Sequence, residues 1–160
     1  MDQKNLHSAA GHINRVIVGK IGEGIDLIEG IFEIAKKHGV KSGTVTAIGS
    51  LNAATVNSPI STDVTKPLSE TTKSYVMEGP VELGVGRGVF GTDENGEMHI
   101  HFHAVTTDKN GDVRFGNLIP GSAPIMAIVD LTIEELAGVI IKPIYNPVRK
   151  NVRLIPESLT

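Results

Sequence analysis

Residues 98–104 read Met98-His99-Ile100-His101-Phe102-His103-Ala104. Strict alternation of apolar and polar residues is the period of a β-strand. Met98, Ile100, Phe102 and Ala104 therefore share one face, and His99, His101 and His103 share the other, with Val105 beyond them. The apolar face belongs against a core. The histidine face must look into solvent, a cleft or a subunit boundary. The chain has no cysteine, so histidine is its natural ligand for zinc or another divalent transition metal. Strand geometry limits how the three can cooperate. Residues two apart have Cα atoms roughly 6.5 Å apart, and residues four apart roughly 13 Å. Imidazole nitrogens sit about 2.0–2.1 Å from a zinc ion. An adjacent pair can converge on one ion, whereas His99 and His103 cannot share it in an extended strand. The remaining ligands would come from the loop after residue 115 or from another copy of the chain. Glu23, Glu78 and Glu97 are carboxylates able to complete such a site. The alternative is a solvated strand whose histidines bind nothing.

The elements that must position this strand can be read on either side of it. A first strand is expected over residues 14–20. Gly22-Glu23-Gly24 then leads into an amphipathic helix over residues 25–38. Ile25, Ile28, Phe32 and Ala35 form its stripe, widened by Leu27, Ile31 and Ile34. Asp26, Glu29, Glu33, Lys36 and Lys37 form its wet face, with acids early and lysines late as the helix dipole favours. Gly39 stands where a left-handed C-cap would. A strand is expected at 44–48, broken by Gly49-Ser50, with a continuation at 53–56. Residues 58–72 read as a polar loop. Strands at 74–78 and 81–90 are separated by Gly79-Pro80. Gly84, Gly86 and Gly88 alternate in the second, which implies that something approaches that face closely. Asp93-Glu94-Asn95-Gly96 and 108–111 read as hairpin turns on either side of the histidine strand. Short strands follow at 113–115, 125–133 and 139–144. One early helix among many strands joined by short turns gives the α+β class with a largely antiparallel sheet.

Composition bounds the rest. A chain of 160 residues with 40% hydrophobic residues suits one domain with a core that needs no disulfides. Its expected layout is an N-terminal arm at 1–12, one domain at 13–144 and a C-terminal extension at 145–160. A net charge of −3 argues against gripping nucleic acid by bulk electrostatics. Aromatics at 4% with no Trp argue against stacking on single strands. No signal segment or membrane-spanning run is readable, so a cytoplasmic location is expected.

The order and spacing of several short pieces carry a resemblance. They are Gly22-Glu23 before the helix, residues 45–51 (Val-Thr-Ala-Ile-Gly-Ser-Leu), residues 78–83 (Glu-Gly-Pro-Val-Glu-Leu), the His99–His103 strand, the Asp-Lys-Asn-Gly turn, and residues 116–121 (Gly-Asn-Leu-Ile-Pro-Gly). Together they resemble the plants and prokaryotes conserved (PPC) domain family, in its stand-alone prokaryotic type, over most of the chain. The resemblance implies a compact α+β domain, a homotrimer, and histidines near a subunit interface that hold a metal, usually zinc. It also implies an association with DNA or with protein partners. Two departures stand out. Asn117 occupies the place where the family commonly has a histidine, which leaves the third ligand to the other strand histidines. The segment from Tyr145 does not follow the family closely, and there is no Arg-Gly-Arg-Pro core of an AT-hook.

These readings rank three functions. The first is a homotrimeric metal-binding protein without catalysis of its own, regulatory in character. The second is a DNA-associated protein, supported by Lys142, Arg149, Lys150 and Arg153 near the end of the chain. The third is a zinc-dependent hydrolase of small molecules, with Glu23 or Glu78 as general base. No nucleophile elbow, phosphate loop or His-Glu-x-x-His is present, and Gly84-x-Gly86-x-Gly88 opens no helix, so the balance leans away from an enzyme.

Overall fold

The computed structural model describes residues 6–159; residues 1–5 of the expected N-terminal arm lie outside them. The elements run β1 (His12–Gly22), α1 (Leu27–Lys37), β2 (Ser42–Pro59), α2 (Leu68–Thr71), β3 (Thr72–Thr92), β4 (Met98–Asp108), β5 (Val113–Leu118), β6 (Ile125–Ala137), β7 (Val139–Asn146) and β8 (Asn151–Ser158). The fold is more β-rich than the α+β expectation. Its one long helix rests on a six-stranded antiparallel sheet of order β1-β6-β2-β3-β4-β5. Val56 and Asn57 of β2 also pair with Leu118 and Asn117 of β5, which curls that end of the sheet back on itself. β7 and β8 form a separate antiparallel hairpin.

The local chemistry explains most of these elements. Asp26 is the N-cap of α1 rather than part of its wet face: its Oδ1 accepts from the backbone N–H groups of Ile28 and Glu29 at 3.0 and 3.3 Å. Its Oδ2 accepts from the Ala123 N–H at 2.9 Å, tying the helix start to the chain before β6. The stripe that α1 buries is centred on Leu27, Ile28, Ile31 and Ala35, while Ile25 lies outside the helix and is exposed. Each such aliphatic burial contributes about 1.5–3 kcal/mol. After the helix, Gly39 has φ 68°, the left-handed conformation expected of it.

The strands are longer than the sequence implies. β2 runs unbroken through Gly49 and Ser50, with register shifts at 47/49 and 51/53 against β3. The punctuation is thus a pair of bulges inside one strand. β3 likewise passes through Gly79-Pro80, which together stand opposite Asn52 alone. Proline has no N–H to give a ladder, and a bulge accommodates it. Gly86 and Gly88 point into the core, where the Phe102 ring from β4 lies against both. The close approach is therefore made by a core side chain.

Candidate metal centre

β4 is held by β3 along its length and by β5 only over residues 103–107. Met98, Phe102 and Ala104 are buried and Ile100 is half-buried against the same core. This fixes the register and turns His99, His101 and His103 to the outer face. The first two turns of the hairpins are set by carboxylates: Asp93 Oδ1 accepts from Asn95 and Glu97 N–H groups at 2.9 Å each, and Asp108 Oδ1 does the same for Asn110 and Asp112.

The three histidines do not form one cluster. His101 and His103 converge: their Nε2 atoms are 2.9 Å apart and their ring centroids 4.8 Å apart. Two nitrogens bound tetrahedrally to one zinc at about 2.0–2.1 Å would be separated by about 3.3–3.4 Å. The pair thus stands within half an ångström or so of a shared-ligand geometry, and a small rotation of either ring closes the difference. Partial burial lowers the His101 pKa, and the neighbouring His103 lowers it further. Both effects favour the neutral imidazole that a metal requires.

His99 points elsewhere. Its Nε2 lies 3.5 Å from Asp93 Oδ2, and Asp93, Glu97 and His99 place donor atoms within 4.8 Å of one another. Asp93 is held below its ordinary pKa chiefly by the Glu97 backbone N–H, with Asn95 and His99 adding to it. Its carboxylate is therefore occupied in stapling the turn to the strand. Of the sequence-candidate carboxylates, Glu97 joins this second group. Glu23 lies exposed before α1 and Glu78 exposed on β3, neither lining the cleft at the histidine pair.

That cleft, about 380 Å³, was not legible in the sequence. His101, His103 and Asn117 line one side. Asn117 is the cross-strand partner of His103. The other side comes from the loop before α2 and from the turn into β8, including Arg149 and Asn151. Arg149 ties these together: its guanidinium donates to the carbonyls of Asp63 and Lys66 at 2.9 and 2.7 Å and to Thr71 Oγ1 at 3.1 Å. The polar run 58–72 and the tail basic residue are the signals that mark this wall, but their meeting depends on the hairpin folding back.

The profile of the Plants and Prokaryotes Conserved (PCC) domain matches residues 8–137. The chain belongs to this family. Solved structures share the PCC fold at low identity. A PPC protein of Pyrococcus horikoshii is 19% identical with a TM-score of 0.76, covering 97% of this chain and 99% of its own. A metal-containing protein of Archaeoglobus fulgidus is 15% identical with a TM-score of 0.76, covering 94% and 99%. A protein of Bacteroides thetaiotaomicron, described as a proposed DNA-binding protein, is 17% identical with a TM-score of 0.71, covering 94% and 97%. No curated protein matches the chain. No helix among the described residues of this PCC-domain protein is long and apolar enough to cross a membrane.

Proposed function

We propose that this PCC-domain protein is a homotrimeric metal-binding protein in which His101 and His103 hold a divalent transition metal of the zinc type. The observation that carries this reading is the 2.9 Å approach of the two Nε2 atoms together with the lowered pKa of His101. Asn117 offers a neutral amide oxygen beside them, a weak ligand for zinc. A complete coordination sphere then draws on a second copy of the chain, through the same outer sheet face. That face carries Val85, Val105 and Phe115, which are 44%, 40% and 67% exposed and are cross-strand neighbours. Exposed apolar groups in register beside polar ligands suit a subunit boundary. The Archaeoglobus relative's description as metal-containing is in keeping with this assignment. Glu23 and Glu78, the general bases expected from the sequence, are not among the residues lining the cleft.

The test is metal analysis of the untagged protein beside single variants. His101→Ala and His103→Ala should each lose near-stoichiometric metal, and His99→Ala should keep it. Retention in the first two with loss in His99→Ala would move the site to the Asp93–Glu97–His99 group. Absence of metal from the wild type after incubation with zinc would end the reading.

Association with DNA is the second reading. It draws on the Bacteroides relative's description and on Lys150 and Arg153, which are exposed. The other two basic residues near the end are engaged: Lys142 pairs with Glu157 at 2.5 Å, and Arg149 holds the loop. Salt-dependent retention on DNA that is lost in Lys150→Glu/Arg153→Glu would support it; retention indifferent to both changes would remove it.

A further inference from the structure

We propose that the cleft beside His101 and His103 binds a small carboxylate that also carries a hydroxyl or amine group. The site rests on the metal reading for one of its walls; the opposite wall stands independently of it. A cleft of about 380 Å³ is of small-molecule size. Across it from the histidines stand two groups whose bonding within the protein is incomplete.

The first is Arg149. Its three side-chain partners, two backbone carbonyls and the Thr71 hydroxyl, are all uncharged. No carboxylate among the described residues lies within ion-pair distance of it. The Asp63 carboxylate feels its charge, but that group is engaged by the Thr65 hydroxyl at 2.6 Å and by Lys66 at 3.7 Å. A half-buried guanidinium whose hydrogen-bond acceptors are all neutral favours an incoming carboxylate. It also disfavours a cationic ligand.

The second is Asn151. Its Oδ1 is buried and has no hydrogen-bond partner, while its amide nitrogen reaches only the Val152 carbonyl at 3.4 Å. A buried acceptor without a donor weakens the fold, and a turn of the Asn151 amide toward the cleft lets a ligand's O–H or N–H repair that deficit. Ile100, Leu68 and Val152 supply apolar surface between the polar groups. A negative charge for Arg149 and a donor for Asn151, held close to a metal-type nitrogen pair, together define a hydroxy- or amino-carboxylate.

The experiment uses glycolate and acetate as probes, differing only in the hydroxyl. Each is titrated into isotope-labelled full-length protein, once after chelator treatment and once after zinc loading, and followed by the Arg149 Nε–H and Asn151 amide resonances. The expected result is saturable shifts at both residues in both forms, with glycolate binding at least about fivefold more tightly than acetate, the scale of one repaired buried acceptor. Asn151→Leu, close in volume to the native residue, should abolish that preference and leave acetate binding unchanged. Arg149→Lys, which keeps the charge, should retain weakened binding of both. Glycolate shifts at Arg149 and Asn151 in a protein that takes up no zinc would uphold the cleft while sinking the metal site. Shifts confined to the histidines of the zinc-loaded form, unaffected by Asn151→Leu, would overturn the proposal and leave the metal site standing. Absence of saturable shifts at Arg149 and Asn151 in either form would overturn it as well.

Discussion

His99, His101 and His103 are identical in chemistry and in strand phase, yet their surroundings divide them. His99 faces a carboxylate that is already bonded to a turn, and His101 faces another imidazole. The alternation that puts all three on one face was legible from residues 98–104. The side-chain directions that separate one from the other two were not, because they depend on the hairpin turn at Asp93 and on the cleft wall. The consequence for pH is specific. The folded protein lowers the His101 pKa from its ordinary 6.5, chiefly by burial and then through His103. Below that value the unfolded chain takes up a proton at His101 that the metal-free folded protein resists. The stability contribution of this group is therefore complete above the unfolded pKa and is lost as pH falls toward the folded one. Histidine-detected NMR titration of the metal-free protein should place the His101 midpoint below 6.5. His103→Ala should raise that midpoint only in part, since the burial contribution survives. A midpoint that returned fully to 6.5 in this variant would show that the neighbouring ring, and not burial, dominates.

At the scale of elements, the alternating glycines of β3 show how a correct inference from sequence can still miss its object. Alternating glycines announce a close approach, and the approach is the Phe102 ring packed over Gly86 and Gly88; the register shift between Leu83 and Val85 turns the exposed Gly84 off that face. Gly84 has no such neighbour; a Cβ there would meet only the Val105 carbonyl oxygen at 3.8 Å. Gly86→Ala should therefore destabilise the fold by about 1–3 kcal/mol through overpacking, while Gly84→Ala should change little. Paired denaturant melts would read the contrast, and equal effects would contradict the packing assigned to Phe102. Of the loop expected at 58–72, readable from its prolines and polar residues, only 60–67 lies outside regular elements, because β2 runs to Pro59, the short helix α2 takes 68–71 and β3 starts at Thr72; its anchor was not readable. Arg149 reaches back over some eighty positions to hold it. Arg149→Ala should accelerate hydrogen exchange across residues 61–71 while leaving β4 and α1 protected. Unchanged exchange in that segment would mean the loop is held by its own turns alone.

For the whole molecule, the question is what covers the outer sheet face. Val85, Val105 and Phe115 form a cross-strand row next to the row of Arg87, His103 and Asn117. An apolar row beside a half-complete ligand set is the arrangement expected where copies of one chain meet. Light scattering on the native protein should give the mass of three chains. Phe115→Glu, at a position two-thirds exposed in the single chain, should yield a folded species of lower mass that also binds metal less tightly. A native mass of one chain would remove the trimer, and metal affinity unchanged in the Phe115 variant would mean one chain supplies the whole site.

Features that depend on near neighbours were legible in the residues alone: the phase of the histidine strand, the helix with its C-terminal glycine, the hairpin turns and the family to which the chain belongs. Local backbone preferences and side-chain periodicity carry that information within a few residues. The strand content was understated because bulges at Gly49 and at Gly79-Pro80 look like strand ends when their partners are unseen. Packing of the whole chain was needed to show which two histidines meet, that Asn117 stands across from His103, and that a loop and a hairpin distant in sequence close a cleft over them. Those are contacts between segments far apart in the chain, set by strand order and by the return of β8 onto β7, and no residue's own type records them.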